Sequence, residues 1–278
     1  MRRHDPMPRR QERGFTLVEL AVVVTVVGLL LLSLMYTFSA QVEQRDFEET
    51  RRRLEQAREL VLAFAIVNGR LPCPARANSN GLEVRNAATG ECKDGASVED
   101  YYGGTPGGVD GGLLPAASIG FPTVDSSGFA LDAWQNRIRY VVARNVTCSG
   151  AATFPHFENA LNLKTNGMSC QPNDLLVCKS VTGVSGGTCG STANQIMSQG
   201  LVTAIVFSTG KNFGTAPSAA AATAAGRIDE AANLNGDAVF VFHTPTPSSF
   251  ANGEFDDQMI WITVGETYGK LIGAGVLP

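Results

Sequence analysis

The feature that most constrains this chain is an apolar run close to its N-terminus. Residues 20–38 contain no charged side chain, and a helix needs about 20 such residues to cross the hydrocarbon of a bilayer. The segment before the run carries five arginines, Arg2, Arg3, Arg9, Arg10 and Arg13. Because basic flanks stay on the cytoplasmic side, the sequence predicts a cytoplasmic N-terminus and an exported remainder.

Simpler interpretations of this run leave features unexplained. A secretory signal has an apolar region of about 7–15 residues followed by a small-x-small cleavage site, whereas this run is longer and Phe38 stands where a small residue belongs. A plain membrane anchor does not explain Glu19, because a charge inside a bilayer costs about 2.5–3.5 kcal/mol. A tolerated Glu19 that reaches out to the interface is the remaining simple explanation.

The residues around Glu19 form a recognisable motif. They read Arg13-Gly14-Phe15-Thr16-Leu17-Val18-Glu19-Leu20, which closely resembles the processing site of type IV prepilins and type II secretion pseudopilins. The resemblance implies that a prepilin peptidase cleaves between Gly14 and Phe15 and N-methylates Phe15, while the apolar segment is retained. It also implies that Glu19 meets the Phe15 amine of a neighbouring subunit during assembly. Such an ion pair would offset both desolvation penalties and fix the axial register.

The helical pattern continues beyond the apolar run with a different polarity. Apolar or small side chains recur at steps of three and four, at Phe47, Thr50, Leu54, Ala57, Val61 and Phe64, which is typical of an amphipathic helix. Asn68-Gly69 supplies a stop signal. After a leader peptide of residues 1–14, we therefore predict a transmembrane or filament-core half at 15–40 and an amphipathic stem at 41–68.

The remaining residues, 69–278, are predicted to form an exported globular domain. Residues 75–118 have a loop-like composition, and the Ala-rich stretch 216–225 fits either a short helix or a loop. Apolar, β-branched runs predict strands at 137–143, 201–208, 238–243 and 258–264. The expected class is α+β and pilin-like, with the amphipathic half of the long N-terminal helix packed on an antiparallel β-sheet.

All six cysteines follow the apolar run, on the predicted exported side. An even number of cysteines in an oxidising compartment favours three disulfides, although six cysteines allow 15 pairings. We expect sequential pairing, Cys73 with Cys92, Cys148 with Cys170 and Cys178 with Cys189. A zinc site is the rival hypothesis, but the chain lacks the CxxC spacing that is typical of zinc ligands.

Two further segments resemble the major pseudopilin family. The first begins Leu131-Asp132-Ala133-Trp134-Gln135-Asn136 and is similar to the family's Asp-x-Trp-Gly-Asn segment, with Gln135 where glycine is usual. The second, residues 255–261, partly resembles the terminal segment whose acidic residues bind calcium in that family. The resemblance implies a calcium site at Asp256 and Asp257, helped by Glu254 or Asp237; the alternative is a solvated acidic turn. We expect Trp134 and Trp261 to be core residues.

Charge and motif spacing argue against two classes of function. Without residues 1–14, which hold five arginines and two acidic residues, the formal net charge changes from −4 to −7, so nucleic acid is not the expected ligand. The chain offers no spaced set of catalytic partners, because the Gly-x-Ser-x-Gly match at 183–187 lies in a Gly/Ser-rich loop rather than between a strand and a helix. We therefore expect a protein that is not an enzyme and needs no cofactor beyond the candidate calcium ion.

The resemblance implies a structural function. It predicts a subunit, minor because its exported domain is large, of a type II secretion pseudopilus or a type IV pilus. Its partners would be other pilins or pseudopilins, the prepilin peptidase and an inner-membrane assembly platform, and its location would be the bacterial inner membrane with a periplasmic C-terminal domain. A membrane-tethered periplasmic binding module that does not polymerise is the alternative, and an enzyme on a prepilin-type anchor is the third reading.

Overall fold

A computed structural model of the chain describes residues 16–93, 99–103, 112–145 and 155–278, with side chains left out at 32–40. The chain divides into two compact units, Met1–Asp46 and Phe47–Pro278. Gly14, Phe15 and Cys148, which carry three of the sequence-based predictions, lie outside the described residues.

The long N-terminal helix is present. Helix α1 (Leu17–Asn68) has 52 residues and ends at Gly69, whose φ of +67° lies in the left-handed region that favours glycine. Across the described residues, no helix combines enough length with enough apolarity to cross a membrane. That finding does not confirm the transmembrane half predicted at 15–40, which therefore stays a prediction.

The stem residues of α1 pack as their spacing predicts. Thr50, Leu54, Ala57 and Val61 are buried. The three apolar ones among them share one hydrophobic core with residues of an antiparallel sheet that the later part of the chain forms. The opposite faces carry charged side chains that pair along the helix, as Arg51 does with Glu55. Burial of one stripe against the sheet therefore explains why this half of α1 is amphipathic.

Six short strands follow α1 in the described chain. They are β1 (Arg139–Val142), β2 (Leu176–Cys178), β3 (Gln195–Met197), β4 (Val202–Ser208), β5 (Val239–Val241) and β6 (Gln258–Thr263). Five short helices accompany them, α2 (Ala116–Ile119), α3 (Ala160–Asn166), α4 (Ala219–Ala224), α5 (Ile228–Asn233) and α6 (Val264–Gly273). The Ala-rich stretch is thus helical at α4, which Ser218 caps by accepting a hydrogen bond from the Ala221 amide.

The strands form two three-stranded sheets. The first has the order β1-β4-β6 and is antiparallel, with Tyr140 opposite Val206 and Val206 opposite Ile260. This sheet confirms the predicted α+β class and its antiparallel pairing. The second sheet has the order β3-β2-β5 and contains the parallel pair β2–β5, which the sequence did not predict because strands of three residues carry almost no periodicity.

Two of the sequentially predicted disulfides are present. Cys73 is bonded to Cys92, and Cys178 is bonded to Cys189. Cys170 is also disulfide-bonded, while its predicted partner Cys148 belongs to the part of the chain that is not described. Inside the loop closed by Cys178 and Cys189, Gly186 and Gly187 both have positive φ and form the tip of a tight hairpin.

Candidate functional site

The first described turn of α1 is closed by a capping box. The Thr16 amide and the Thr16 hydroxyl both donate to Glu19 Oε2, each at 2.9 Å, and the Glu19 amide donates to Thr16 Oγ1 at 3.3 Å. This reciprocal arrangement is the Thr-x-x-Glu capping box, which satisfies amides that a helix N-terminus otherwise leaves unpaired. Glu19 therefore has a structural partner within its own subunit.

One oxygen of Glu19 remains available. Both bonds from Thr16 end on Oε2, and no hydrogen bond to Oε1 is found among the described residues. The apolar side chains of the same helix segment are exposed, including Leu17, Val18 and Leu20. A free carboxylate oxygen among exposed apolar side chains can accept a hydrogen bond from a cationic donor.

A second candidate site is a cluster of buried carboxylates. Glu230 of α5 lies beside Asp256 and Asp257, and carboxylate oxygens of the three residues fall within 4.8 Å of one another. All three side chains are buried. The structure thus brings together the two aspartates that the sequence singled out and adds Glu230, whereas Glu254 and Asp237 are not part of the cluster.

The backbone holds one side of Asp256 and leaves the other unpaired. Asp256 Oδ2 accepts hydrogen bonds from the amides of Lys211 and Asn212, each at 3.1 Å. Asp256 Oδ1 is buried and has no hydrogen-bond partner within the described chain. Buried polar oxygens are rarely left unpaired, so this atom is a position at which a bound cation would supply the missing interaction.

Burial controls the protonation of the cluster. It raises the pKa of Asp256 to about 7, with a further contribution from the charge of Glu230. It also raises the pKa of Glu230 and raises that of Asp257 well above its ordinary value. Three carboxylates at this spacing cannot all be ionised without a compensating positive charge. Arg227 Nη1 lies 3.5 Å from Glu230 Oε2 and balances one of these charges. The other carboxyl groups either retain protons or bind a cation, and hard oxygen ligands of this kind suit calcium.

The segment that resembles Asp-x-Trp-Gly-Asn connects α1 to the end of the sheet. Buried Asp132 accepts a hydrogen bond from the Asn136 amide at 2.8 Å and one from the Ser208 hydroxyl at 2.6 Å. Gln135 has a φ of +70°, so it adopts the conformation that glycine favours. The turn is therefore formed with a strained residue in place of glycine.

Comparison with known proteins identifies the N-terminal segment. A family model described as the prokaryotic N-terminal methylation motif matches residues 9–35. The chain carries the prepilin-type signature. This signature indicates that the chain is similar to the precursors of type IV pilins and pseudopilins. No curated protein and no solved structure matches the chain significantly.

The prepilin-type signature includes the motif residues Gly14, Phe15 and Glu19 and excludes the acidic cluster. Two residues of these sites, Thr16 and Glu230, were not predicted from the sequence. Thr16 could have been found, because the Thr-x-x-Glu spacing is a local capping signal. Glu230 could not, since it precedes Asp256 by 26 residues and only the packing of α5 brings the two together.

Trp134 and Trp261 are both half-buried; Trp134 packs edge-on against Phe47, and Trp261 packs against Phe242.

Proposed function

We propose that this protein is a pilin-like structural subunit that a prepilin peptidase processes and that assembles into a filament through its N-terminal helix. The observation that carries the proposal is the prepilin-type signature over residues 9–35, in which Glu19 lies on the first turn of an exposed apolar helix. On this proposal its work is mechanical, and residues 15–40 hold the subunit in the inner membrane before they enter the filament core.

The two oxygens of Glu19 have separate tasks in the proposed assembly step. Cleavage after Gly14 creates a cationic α-amine on Phe15, and methylation keeps its positive charge. Oε2 remains bonded to Thr16 and keeps the first turn closed, while Oε1 receives the Phe15 amine of a neighbouring subunit. In surroundings of low dielectric constant, this ion pair stabilises the assembled state only in the correct axial register.

Within that family we propose a minor subunit of a type II secretion pseudopilus or a type IV pilus. The supporting observation is size, because the second compact unit spans Phe47–Pro278 and a domain of that size would crowd a uniform filament. The partners would be other pilins or pseudopilins and the assembly platform that inserts them. A tethered periplasmic binding module that does not polymerise is the alternative.

Replacing Glu19 tests the proposal against that alternative. We expect Glu19→Ala to be inserted and cleaved normally but to be absent from sheared filaments and from crosslinked subunit pairs. Glu55→Ala is the matched control, because Glu55 is an exposed acid of the same helix that pairs only with Arg51 in the described chain. Absence of the native chain itself from filaments and from crosslinked pairs would support the binding module and overturn the filament proposal. Normal incorporation of Glu19→Ala would instead overturn the proposed part of Glu19 in assembly.

Mass spectrometry of the mature chain tests processing separately. We expect an N-terminus at Phe15 that carries one methyl group. A mature protein that starts at Met1, or one cleaved after Ala40, would contradict processing at Gly14. Substituting Gly14 should accumulate the precursor without changing the pairing of Cys73 with Cys92, which reports on the exported domain.

We further propose that the acidic cluster binds a calcium ion that stabilises the exported domain. The supporting observation is buried and unpaired Asp256 Oδ1, which lies beside Glu230 and Asp257. These residues would provide carboxylate oxygens, and backbone carbonyls or water would complete the six to eight that calcium needs.

Thermal unfolding in calcium and in a chelator tests this site. We expect calcium to raise the Tm of the native chain, and we expect Asp256→Asn to abolish the shift. Asp237→Asn is the control, because Asp237 is engaged with Asn235 and the Val239 amide outside the cluster. A calcium-dependent shift that survives in Asp256→Asn, or no shift in the native chain, would reject the site.

A further inference from the structure

A short segment that precedes α3 is completely buried. Residues 155–158 read Pro-His-Phe-Glu, and each of them is buried. Two of the four, His156 and Glu158, are titratable, and both are completely inaccessible to solvent. Ionisable side chains are seldom fully buried unless they are paired, so this segment calls for a physical explanation.

Within the part of the chain that the structure describes, no other residue pairs with the carboxyl group of Glu158. Neither Oε1 nor Oε2 receives a hydrogen bond from another described residue. Of the nearby basic side chains, Arg70 is held by Glu83 through bonds of 2.9 and 2.6 Å, and Arg85 donates from Nε to the backbone oxygen of Glu158 rather than to its carboxyl group. The charges of Arg70 and Arg85 favour an ionised Glu158, but neither guanidinium donates to its carboxyl group, so they offset only part of the cost of burying a carboxylate.

A neighbouring acidic group also disfavours ionisation of Glu158. Asp174 adds a like charge, and the phenols of Tyr101 and Tyr140 lie close enough for Glu158 to contribute to their raised pKa values. Tyr140 donates its proton to the Pro72 carbonyl, and the Tyr101 oxygen accepts from the Cys92 amide. Burial, supported by the charge of Asp174, raises the pKa of Glu158 well above its ordinary value.

Burial disfavours the protonated, cationic form of His156, whereas it disfavours the ionised, deprotonated form of Glu158. The Tyr268 hydroxyl lies 2.7 Å from the Gly167 carbonyl and 2.8 Å from that of Cys170, so its single proton is directed to these acceptors. Its oxygen therefore accepts from His156 Nε2, 3.0 Å away. Nδ1 is left with a buried lone pair and no partner in the described chain. Protonating it would bury a cation, and burial lowers the pKa of His156 to about 4.

The segment is also a point at which several elements are attached. The Phe157 carbonyl accepts from the Leu71 amide at 2.7 Å, which fixes the turn that follows α1. The Pro155 carbonyl accepts from Asn162 of α3 at 2.9 Å. His156 contacts Tyr268, which lies on the buried face of the C-terminal helix α6. Displacement of residues 155–158 would therefore loosen all three attachments together.

We propose that residues 155–158 form a proton-controlled latch. With Glu158 protonated and His156 neutral, the latch holds the turn after α1 together with α3 and α6; ionisation of Glu158 or protonation of His156 releases them. The inference does not depend on filament assembly. It concerns how the stability of the second compact unit follows the pH of the surrounding solution.

The sign of each contribution follows from linkage. The folded state favours protonated Glu158 over the unfolded state, so its contribution to stability declines as the pH rises above the unfolded value of about 4.3 and continues to decline up to the folded pKa. Folding favours neutral His156, so its contribution is complete above about pH 6.5 and is lost as the pH falls toward about 4.

Equilibrium unfolding of the full-length protein in detergent micelles tests the latch. Urea titrations at constant ionic strength from pH 4 to pH 9 are followed by the fluorescence of Trp134 and Trp261. The folding constants of Glu158→Gln and of the native chain should be similar near pH 4. Above about pH 5, the ratio of the variant's constant to the native one should grow about tenfold per pH unit, until the folded pKa of Glu158 is reached. Glu83→Gln is the matched control, because it removes a paired carboxylate and should weaken folding at neutral pH.

A second variant keeps the proposal testable if Glu158→Gln does not fold. For His156→Gln, the folding constant relative to the native chain should grow about tenfold per pH unit as the pH falls from about 6.5 to about 4. Hydrogen exchange of the Leu71 amide and of α6 should accelerate in the native chain at alkaline pH, beyond the intrinsic change, and should not do so in Glu158→Gln. Ratios that do not vary with pH, or a Glu158→Gln chain that is less stable than the native one at pH 8, would overturn the latch.

Discussion

Thr16 and Glu19 form reciprocal hydrogen bonds at the first turn of α1. The Thr16 amide donates to Glu19 Oε2 at 2.9 Å, and the Glu19 amide donates to Thr16 Oγ1 at 3.3 Å. The carboxylate that we propose to act in assembly is therefore already oriented by its own chain. A neighbouring amine would meet a fixed Oε1 rather than a freely rotating side chain, which lowers the entropy lost on pairing.

Removing the Thr16 hydroxyl should loosen this turn. Thr16→Val eliminates the bonds made by Oγ1 at nearly constant volume, so the Glu19 and Leu20 amides should exchange about fivefold faster, the scale expected for a lost N-cap. Amide exchange measured by NMR in micelles provides the test. Thr16→Ser retains the hydroxyl and should behave as the native chain does; equal exchange in all three chains would contradict the capping box.

The contact between Thr50 and Ala133 should anchor the stem on the domain. Thr50 Oγ1 is buried and accepts from the Ala133 amide at 3.1 Å, so Thr50→Val leaves that amide unpaired. We expect a loss of about 1–3 kcal/mol in the free energy of unfolding, measured by urea titration. Thr50→Ser keeps the acceptor and should lose less, and a Thr50→Val chain as stable as Thr50→Ser would contradict this assignment.

Gly210 should tolerate no side chain. A methyl group at this position would overlap the Asp256 carboxyl group, and φ is +66°. We expect Gly210→Ala to lower the free energy of unfolding by more than about 2 kcal/mol, because overpacking and backbone strain act together. Gly214→Ala is the control, since nothing described lies within 4 Å of the added carbon. Similar urea midpoints for both variants would show that the loop around Gly210 is looser than the structure indicates.

We expect glycine at position 135 to make the folded chain more stable than Gln135 does. Its φ of +70° disfavours residues that carry a Cβ, and its side chain is exposed. Gln135→Gly should raise the free energy of unfolding by up to about 1 kcal/mol, after the larger entropy of glycine in the unfolded chain is included. Gln135→Ala keeps the strain and should not gain stability. A calorimetric Tm that rises in neither variant would contradict the strain.

Local patterns were sufficient for much of the fold. Glu19 belongs to a motif that is read over a few residues, and the repeat of Leu54, Ala57 and Val61 predicts the buried face of α1. The pairs Cys73–Cys92 and Cys178–Cys189 have sequence separations of 19 and 11, and short loops of this kind favour neighbouring partners because closing them loses less entropy.

The features that were missed depend on distant packing. Glu230 joins Asp256 and Asp257 only because α5 packs beside the end of β5 and the start of β6, and no spacing rule connects residues so far apart. Strands β2 and β3 have three residues each, too few for a period-two pattern to appear. The parallel pairing of β2 with β5 likewise depends on the completed core rather than on either segment.

The position of β4 at the centre of the first sheet has a kinetic consequence. Its partners are β1, about 65 residues earlier, and β6, about 55 residues later. Folding of this unit therefore has a high contact order, and the sheet cannot close until residues 258–263 have emerged. Until then the apolar stripe of the stem has no completed surface to cover it, so newly synthesised chains pass through an aggregation-prone interval. Shielding of this stripe until β6 pairs with β4 would limit that aggregation.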